Sequence, residues 1–170
     1  MIKVIMHGCN GKMGQVITGL LKDDEEAKIV AGVDISNHIQ NDYPVYSSLE
    51  ECKEEADVII DFASAKAVDA LLDYCEDNTM PVVLCTTGLS EEQLKRVEET
   101  AKKAAVLRSA NMSLGINLLM RLLKDAADKL VAAGFDIEIV EKHHNLKVDA
   151  PSGTALALAD SINEEYDNAF

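Results

Sequence analysis

The chain has 170 residues, 48% of them hydrophobic, enough to bury a full core in one domain or one and a fraction. Its 16 Lys plus Arg against 30 Asp plus Glu give a formal charge of -14, which argues against a nucleic-acid or anionic-membrane surface, so neither partner is expected. No apolar run is long enough to span a bilayer, and the opening MIKVIMHG lacks the apolar core of a signal peptide, so a soluble cytoplasmic protein is expected.

The first predicted element is a short apolar strand, Lys3 to His7, followed by GCNGKMGQVITGLL from Gly8 to Leu21. Glycines at 8, 11 and 14 give a tight turn into a helix whose Met13, Val16, Ile17, Leu20 and Leu21 share one face. Glycine suits that turn because the backbone must bend sharply and lie against a pyrophosphate seated on the helix N-terminus. The spacing is G-x-x-G-x-x-G rather than G-x-G-x-x-G, a weak signature by itself. A second strand, Lys28 to Val33, ends in Asp34, about twenty positions past the turn, where a dinucleotide fold places the acceptor for a ribose hydroxyl. An ordinary turn role for Asp34 competes with that reading. Its neighbour is Ile35 and not an arginine, which favours NADH over NADPH, although Lys3 or Lys12 could still meet a 2′-phosphate.

Ser36 to Tyr46 is polar and reads as a surface loop with His38 solvated, and Ser48 starts a short acidic helix. Ala56 to Asp61 is a third strand; Phe62 to Ser64 form the crossing where a nicotinamide nucleotide would lie, with Ser64 capping a helix from Ala65 to Glu76. Pro81 to Cys85 is continuously apolar, the mark of a parallel strand covered on both faces, and it runs into Thr86, Thr87 and Gly88. Ser90 and Gln93 make a capping box for a helix to Ala104, and Ala105 to Leu107 is a fifth strand. This alternation predicts an α/β fold, a doubly wound, Rossmann-type parallel sheet. Its crevice lies at the C-terminal strand ends, at Gly8 to Gly14, Asp34, Phe62 to Ser64, Thr86 to Gly88 and Ala110 to Ser113. The cysteines at 9, 52, 75 and 85 form no C-x-x-C pair and read as reduced thiols, with no metal site expected.

Beyond Ser113 the pattern changes to one long helix, Leu114 to Ala133, ended by Gly134. Phe135 to Glu141 alternates and reads as a strand with one exposed face, hence part of a second sheet in a smaller α+β domain. The expected division is a dinucleotide-binding domain over 1–112 and a substrate-binding, catalytic domain over 113–170. The densest chemistry lies in EKHHNLKVDAPSGTA, from Glu141 to Ala155. His143 and Lys147 are proton donors that could serve one substrate from a loop. Ser152 can cap a helix from Gly153 to about Tyr166, and the free N–H groups near Gly153 and Thr154 favour a carboxylate or phosphate. The two histidines, on opposite faces if the segment is a strand, are not expected to share a metal. A surface His-His pair beside an ordinary Pro-Ser-Gly turn is the plainer alternative.

On these residues the chain resembles the 4-hydroxy-tetrahydrodipicolinate reductase family, formerly dihydrodipicolinate reductase, of lysine and diaminopimelate biosynthesis. The resemblance runs over essentially all 170 residues and is most specific in EKHHNLKVDAPSGTA. It implies that His143 is the catalytic acid and Lys147 a second donor, and that His144, Gly153 and Thr154 hold substrate carboxylates. It further implies cofactor contacts at Gly8, Cys9, Asn10, Gly11, Lys12 and Met13, at Asp34, at Cys85, Thr86 and Thr87, and at Ala110, Asn111, Met112 and Ser113. The implied cofactor is NADH or NADPH, the implied substrate a small dicarboxylate, and the implied full-length assembly a homotetramer. Two departures stand out: Cys85 occupies a position where glycine is common, and family chains run longer, their further part completing the substrate domain's sheet. Competing readings are a nicotinamide-nucleotide-binding fragment or redox sensor without turnover, and a dehydrogenase acting on an amino-acid semialdehyde or aspartate.

Overall fold

The structure, a computed structural model, describes residues 1–109, 111–145, 147 and 150–164. The chain divides into two compact units, Met1–Ser109 and Ala110–Phe170.

The first unit is built on six strands: β1 (Ile2–His7), β2 (Ala27–Val33), β3 (Val45–Tyr46), β4 (Val58–Asp61), β5 (Val82–Leu84) and β6 (Val106–Arg108). All neighbours are parallel, in the order β3-β2-β1-β4-β5-β6. The helices α1 (Lys12–Leu21), α2 (Val68–Asn78) and α3 (Glu91–Thr100) make the crossovers. From β1 the chain winds first one way and then the other, so the order reverses between β1 and β4. There the loops part, and a crevice opens at the C-terminal ends of the strands.

The strands form where the sequence is continuously apolar, because both faces of the sheet are covered. Ile5, Ile59 and Leu84 of the sheet and Leu71 and Leu72 of α2 are fully buried in one cluster. Each such side chain contributes about 1.5–3 kcal/mol relative to an exposed one. The predicted capping box starts α3: Ser90 Oγ accepts the Gln93 N–H at 3.2 Å, and Gln93 Oε1 accepts the Ser90 N–H at 3.1 Å.

Three expectations need correction here. The 36–46 loop ends in the edge strand β3, whose Val45 and Tyr46 pair with Gly32 and Val33; two residues are too few to show a period of two. The acidic helix after Ser48 is a single 3-10 turn, Leu49–Glu51. Ser64 makes no side-chain cap: its carbonyl accepts the Ala67 N–H at 2.9 Å, closing a 3-10 turn over Ala65–Ala67, and α2 begins only at Val68.

The second unit contains α4 (Leu114–Ala132) and α5 (Gly153–Asn163). Ala127 of α4 and Ala155 and Ile162 of α5 are buried, and Lys124 pairs with Glu164 just past the end of α5. Gly134, at φ 86°, turns the chain off α4, and the Phe135 N–H returns to the Leu130 carbonyl at 3.0 Å. The strand expected over Phe135–Glu141 is absent, and this segment is irregular. Alternating residues define a face, but a strand also requires a neighbour for its N–H and C=O groups, and none exists among the described residues of this unit. No helix among the described residues is long and apolar enough to cross a membrane.

Candidate active site

The glycine turn leaves β1 at Gly8, which sits at φ 79°. The Gly8 N–H donates to the Val33 carbonyl at 2.8 Å, and its own carbonyl accepts the Gly11 N–H at 3.1 Å. A Cβ at Gly8 would lie 2.7 Å from the Phe62 carbonyl oxygen, and one at Gly14 would lie 2.3 Å from the Gly8 oxygen. Both glycines are therefore required by close backbone packing. Asn10 fastens the turn to the loop after β2: its side chain donates to the Ser36 carbonyl and accepts from Asn41 Nδ2 at 2.8 Å.

In front of the turn lies a cleft of about 340 Å³, lined by His7, Gly8, Gly11, Asp34, Ile35, Ser47–Glu50 and Phe62–Ser64, with Ala67 of the 3-10 turn and Ala70 and Leu71 of α2 behind. It gathers three of the predicted cofactor residues, Gly8, Gly11 and Asp34. Asp34 Oδ2 accepts the Asn10 N–H at 3.0 Å and Oδ1 accepts the Ser36 N–H at 2.9 Å. It is thus a turn residue, yet a carboxylate has about four acceptor sites and these bonds use two. The other predicted contacts of this unit lie off the cleft. Cys9 is fully buried beneath the turn, with burial pushing its thiol up to about 11, while Lys12 and Met13 are exposed on α1. Cys85 and Thr86 are buried beyond β5 and Thr87 is exposed.

Thr86 instead joins a cluster that sequence reasoning missed. Its hydroxyl donates to Asp61 Oδ2 at 2.6 Å, while Asp61 Oδ1 lies 2.7 Å from His7 Nδ1 and accepts the Ala63 N–H at 3.2 Å. Asp61 is wholly buried and His7 is 8% exposed. The two are partners in the β1–β4 register, 54 residues apart in sequence. The wall Ser47–Glu50 was missed as well, because only the fold carries it to the end of β2.

In the second unit, Glu141 organises the histidine segment. Its carboxylate accepts the N–H of Ser152 at 2.9 Å and also the Ser152 hydroxyl, and Oε2 lies 3.5 Å from His143 Nδ1. The Ser152 bonds hold the Glu141 carboxyl below its ordinary range, with His143 and Lys147 adding a smaller effect of the same sign. Ser152 Oγ also accepts the Ala155 N–H at 3.0 Å, the predicted cap of α5. One carboxylate thus ties His143 to the start of the helix that carries Gly153 and Thr154. Thr154 Oγ1 accepts from Asn111 Nδ2 at 2.9 Å, and Asn111 Oδ1 accepts the Ser113 N–H at 2.8 Å. Ser113 Oγ accepts the Ile116 N–H at the start of α4, and Met112 is exposed. His144 and Lys147 are joined by a backbone bond of 3.2 Å. Ala110 lies outside the described residues. Glu141 stands two residues before His143 in the sequence, but nothing in that spacing announced its partnership with Ser152.

A six-stranded parallel sheet in this order, with a glycine turn and a carboxylate at its switch point, defines a Rossmann-type dinucleotide-binding fold. The chain belongs to the dihydrodipicolinate reductase family: residues 2–112 match the model of its N-terminus and residues 115–169 that of its C-terminus. It is 58% identical to the 4-hydroxy-tetrahydrodipicolinate reductase of Caldanaerobacter subterraneus subsp. tengcongensis over 164 residues, and 49% identical to that of Clostridium tetani. Each alignment covers 96% of this chain but 64% of the relative, so the chain spans less than two thirds of their length. Among solved structures, it resembles a dipicolinate-bound dihydrodipicolinate reductase from Paenisporosarcina sp. TG-14, with a TM-score of 0.76 and 32% identity over 96% of this chain and 66% of that one. The WlbA dehydrogenase of Chromobacterium violaceum, solved with NADH and UDP-GlcNAcA, shares the fold at a TM-score of 0.60 and 18% identity, over 75% of this chain and 40% of that one.

Proposed function

We propose that the protein is an NAD(P)H-dependent reductase that converts 4-hydroxy-tetrahydrodipicolinate to tetrahydrodipicolinate in lysine and diaminopimelate biosynthesis. The observation that carries this reading is family membership over both units, supported by the tie from His143 through Glu141 to the cap of α5. Residues 1–112 serve as the dinucleotide domain and 113–170 as the substrate and catalytic domain.

The glycine turn suits a dinucleotide. A Cβ at Gly11 would meet only the Gly8 oxygen, at 3.2 Å, so little side-chain bulk stands between the turn and a diphosphate. Gly8, Gly11 and Asp34 would hold the diphosphate and a ribose, with Cys9, Asn10, Lys12 and Met13 shaping the turn. Cys85 to Thr87 and Ala110 to Ser113 complete the proposed contacts. Asp34 and Glu50 both line the cleft and, among the described residues, no Lys or Arg does, which favours NADH, since a 2′-phosphate would meet carboxylates. Bound nicotinamide supplies the hydride. His143 delivers the proton to the carbon next to the reduced one, its ring oriented by Glu141, and Lys147 assists loss of the substrate hydroxyl as water. His144 and the N–H groups of Gly153 and Thr154 hold the substrate carboxylates; charge-assisted donors of this kind offset the repulsion expected from a chain of net charge -14.

The proton donors are tested by His143→Ala and Lys147→Ala. Each is expected to lower kcat for substrate-dependent NADH oxidation by roughly 10²- to 10⁴-fold while NADH affinity stays unchanged. Turnover unaffected by both changes contradicts the assignment.

A further inference from the structure

None of the roles above uses His7. It ends β1 directly before Gly8 and lines the cleft beside Gly8 and Gly11, at the end where the glycine turn would meet a diphosphate. Behind it, Asp61 is wholly buried and collects the Thr86 hydroxyl at 2.6 Å, the Ala63 N–H at 3.2 Å and His7 Nδ1 at 2.7 Å. A carboxylate that gathers donors in this way is the acceptor at each, so Nδ1 of His7 carries the hydrogen and Nε2 is the ring's remaining polar atom. Among the described residues the cleft lining contains no Lys or Arg, and His7 is the one side chain there able to carry positive charge.

We propose that His7 is a cofactor-recognition residue whose protonated Nε2, with the ring oriented by Asp61, donates to the diphosphate of the bound dinucleotide. The inference rests on the dinucleotide reading of the cleft. Asp61 of β4 faces the ring, and Asp34 at the end of β2 and Glu50 of the 3-10 turn line the same cleft, all carboxylates. Three thiols complete the set: Cys9 under the turn, with Cys75 on α2 and Cys85 after β5 both within the field of Asp61. Burial pushes them up to about 11, about 12 and about 11, so they stay neutral where an imidazole ordinarily titrates, between about pH 5 and 8.

A ligand held by the protonated ring binds more tightly at lower pH. The experiment measures calorimetric affinity of the chain for NAD⁺, whose diphosphate does not titrate in this range, and for adenosine, which lacks one, at about pH 6 and about pH 8. The proposal expects NAD⁺ to bind about tenfold more tightly at the lower pH and adenosine to show no such dependence. His7→Asn and His7→Gln, each checked for a native melting transition, are expected to remove the pH dependence and weaken NAD⁺ about tenfold at the lower pH, sparing adenosine. An unchanged NAD⁺ profile in a folded variant, an equal loss for adenosine, or a flat wild-type profile overturns the role of His7 and leaves the dinucleotide reading standing. A wild-type chain that binds neither NADH nor NAD⁺ overturns both.

Discussion

Gly8 shows how a single position can serve backbone geometry and ligand space together. At φ 79°, where a Cβ would lie 2.7 Å from the Phe62 oxygen, no other residue fits without moving β4's exit loop. Gly8→Ala is expected to cost at least about 2 kcal/mol of stability and to weaken NADH binding more than tenfold, measured by denaturant unfolding and calorimetry. A variant of native stability and affinity would show that the turn relaxes freely. Gly8, Gly11 and Asp34 were legible because their signal lies in short-range spacing. His7 and Asp61 were not, because the 54 residues between them are bridged only by strand register. Glu141 escaped for a similar reason: its partner Ser152 is reached across an irregular loop and not along a periodic element.

At the scale of elements, the ends matter most. α3 carries its predicted capping box, whereas α2 stops at Thr79, which closes the helix at φ 51° and donates its N–H toward the Glu76 carbonyl at 3.5 Å. A β-branched residue in the left-handed region is strained, and glycine there removes about 1–2 kcal/mol of steric cost against about 0.5–1 kcal/mol of added chain entropy. Thr79→Gly is therefore expected to stabilise the protein by roughly 0.5 kcal/mol, a rise in Tm of about 1–2 °C. A lower Tm would mean that the threonine side chain contributes more than its backbone strain costs. Five of the six parallel strands and the main helices were legible because continuous apolar runs and a 3.6-residue period survive in any context. Phe135–Glu141 failed because alternation is necessary for a half-buried strand but does not supply a neighbouring one.

Over the whole chain, all four cysteines fall in the first unit, and burial raises their thiols from the ordinary 9.0 to about 11 for Cys9, Cys52 and Cys85 and about 12 for Cys75. The folded chain keeps protons that the unfolded chain releases. Their contribution is fully present below about pH 9 and is lost as pH rises toward 11 and 12. Urea unfolding at about pH 8 and about pH 10 should show a lower midpoint at the higher pH, and an unchanged midpoint would contradict the burial of these thiols. Composition correctly anticipated a chain able to bury a core, but it could not show where each unit's polar clusters would form.

In the proposed function the dinucleotide unit and the His143 segment serve one reduction. The most direct test is oxidation of NADH by the chain with and without freshly generated 4-hydroxy-tetrahydrodipicolinate. Saturable oxidation that depends on this substrate is expected. NADH that binds but is not oxidised when substrate is added, or oxidation at the same rate without substrate, would contradict it.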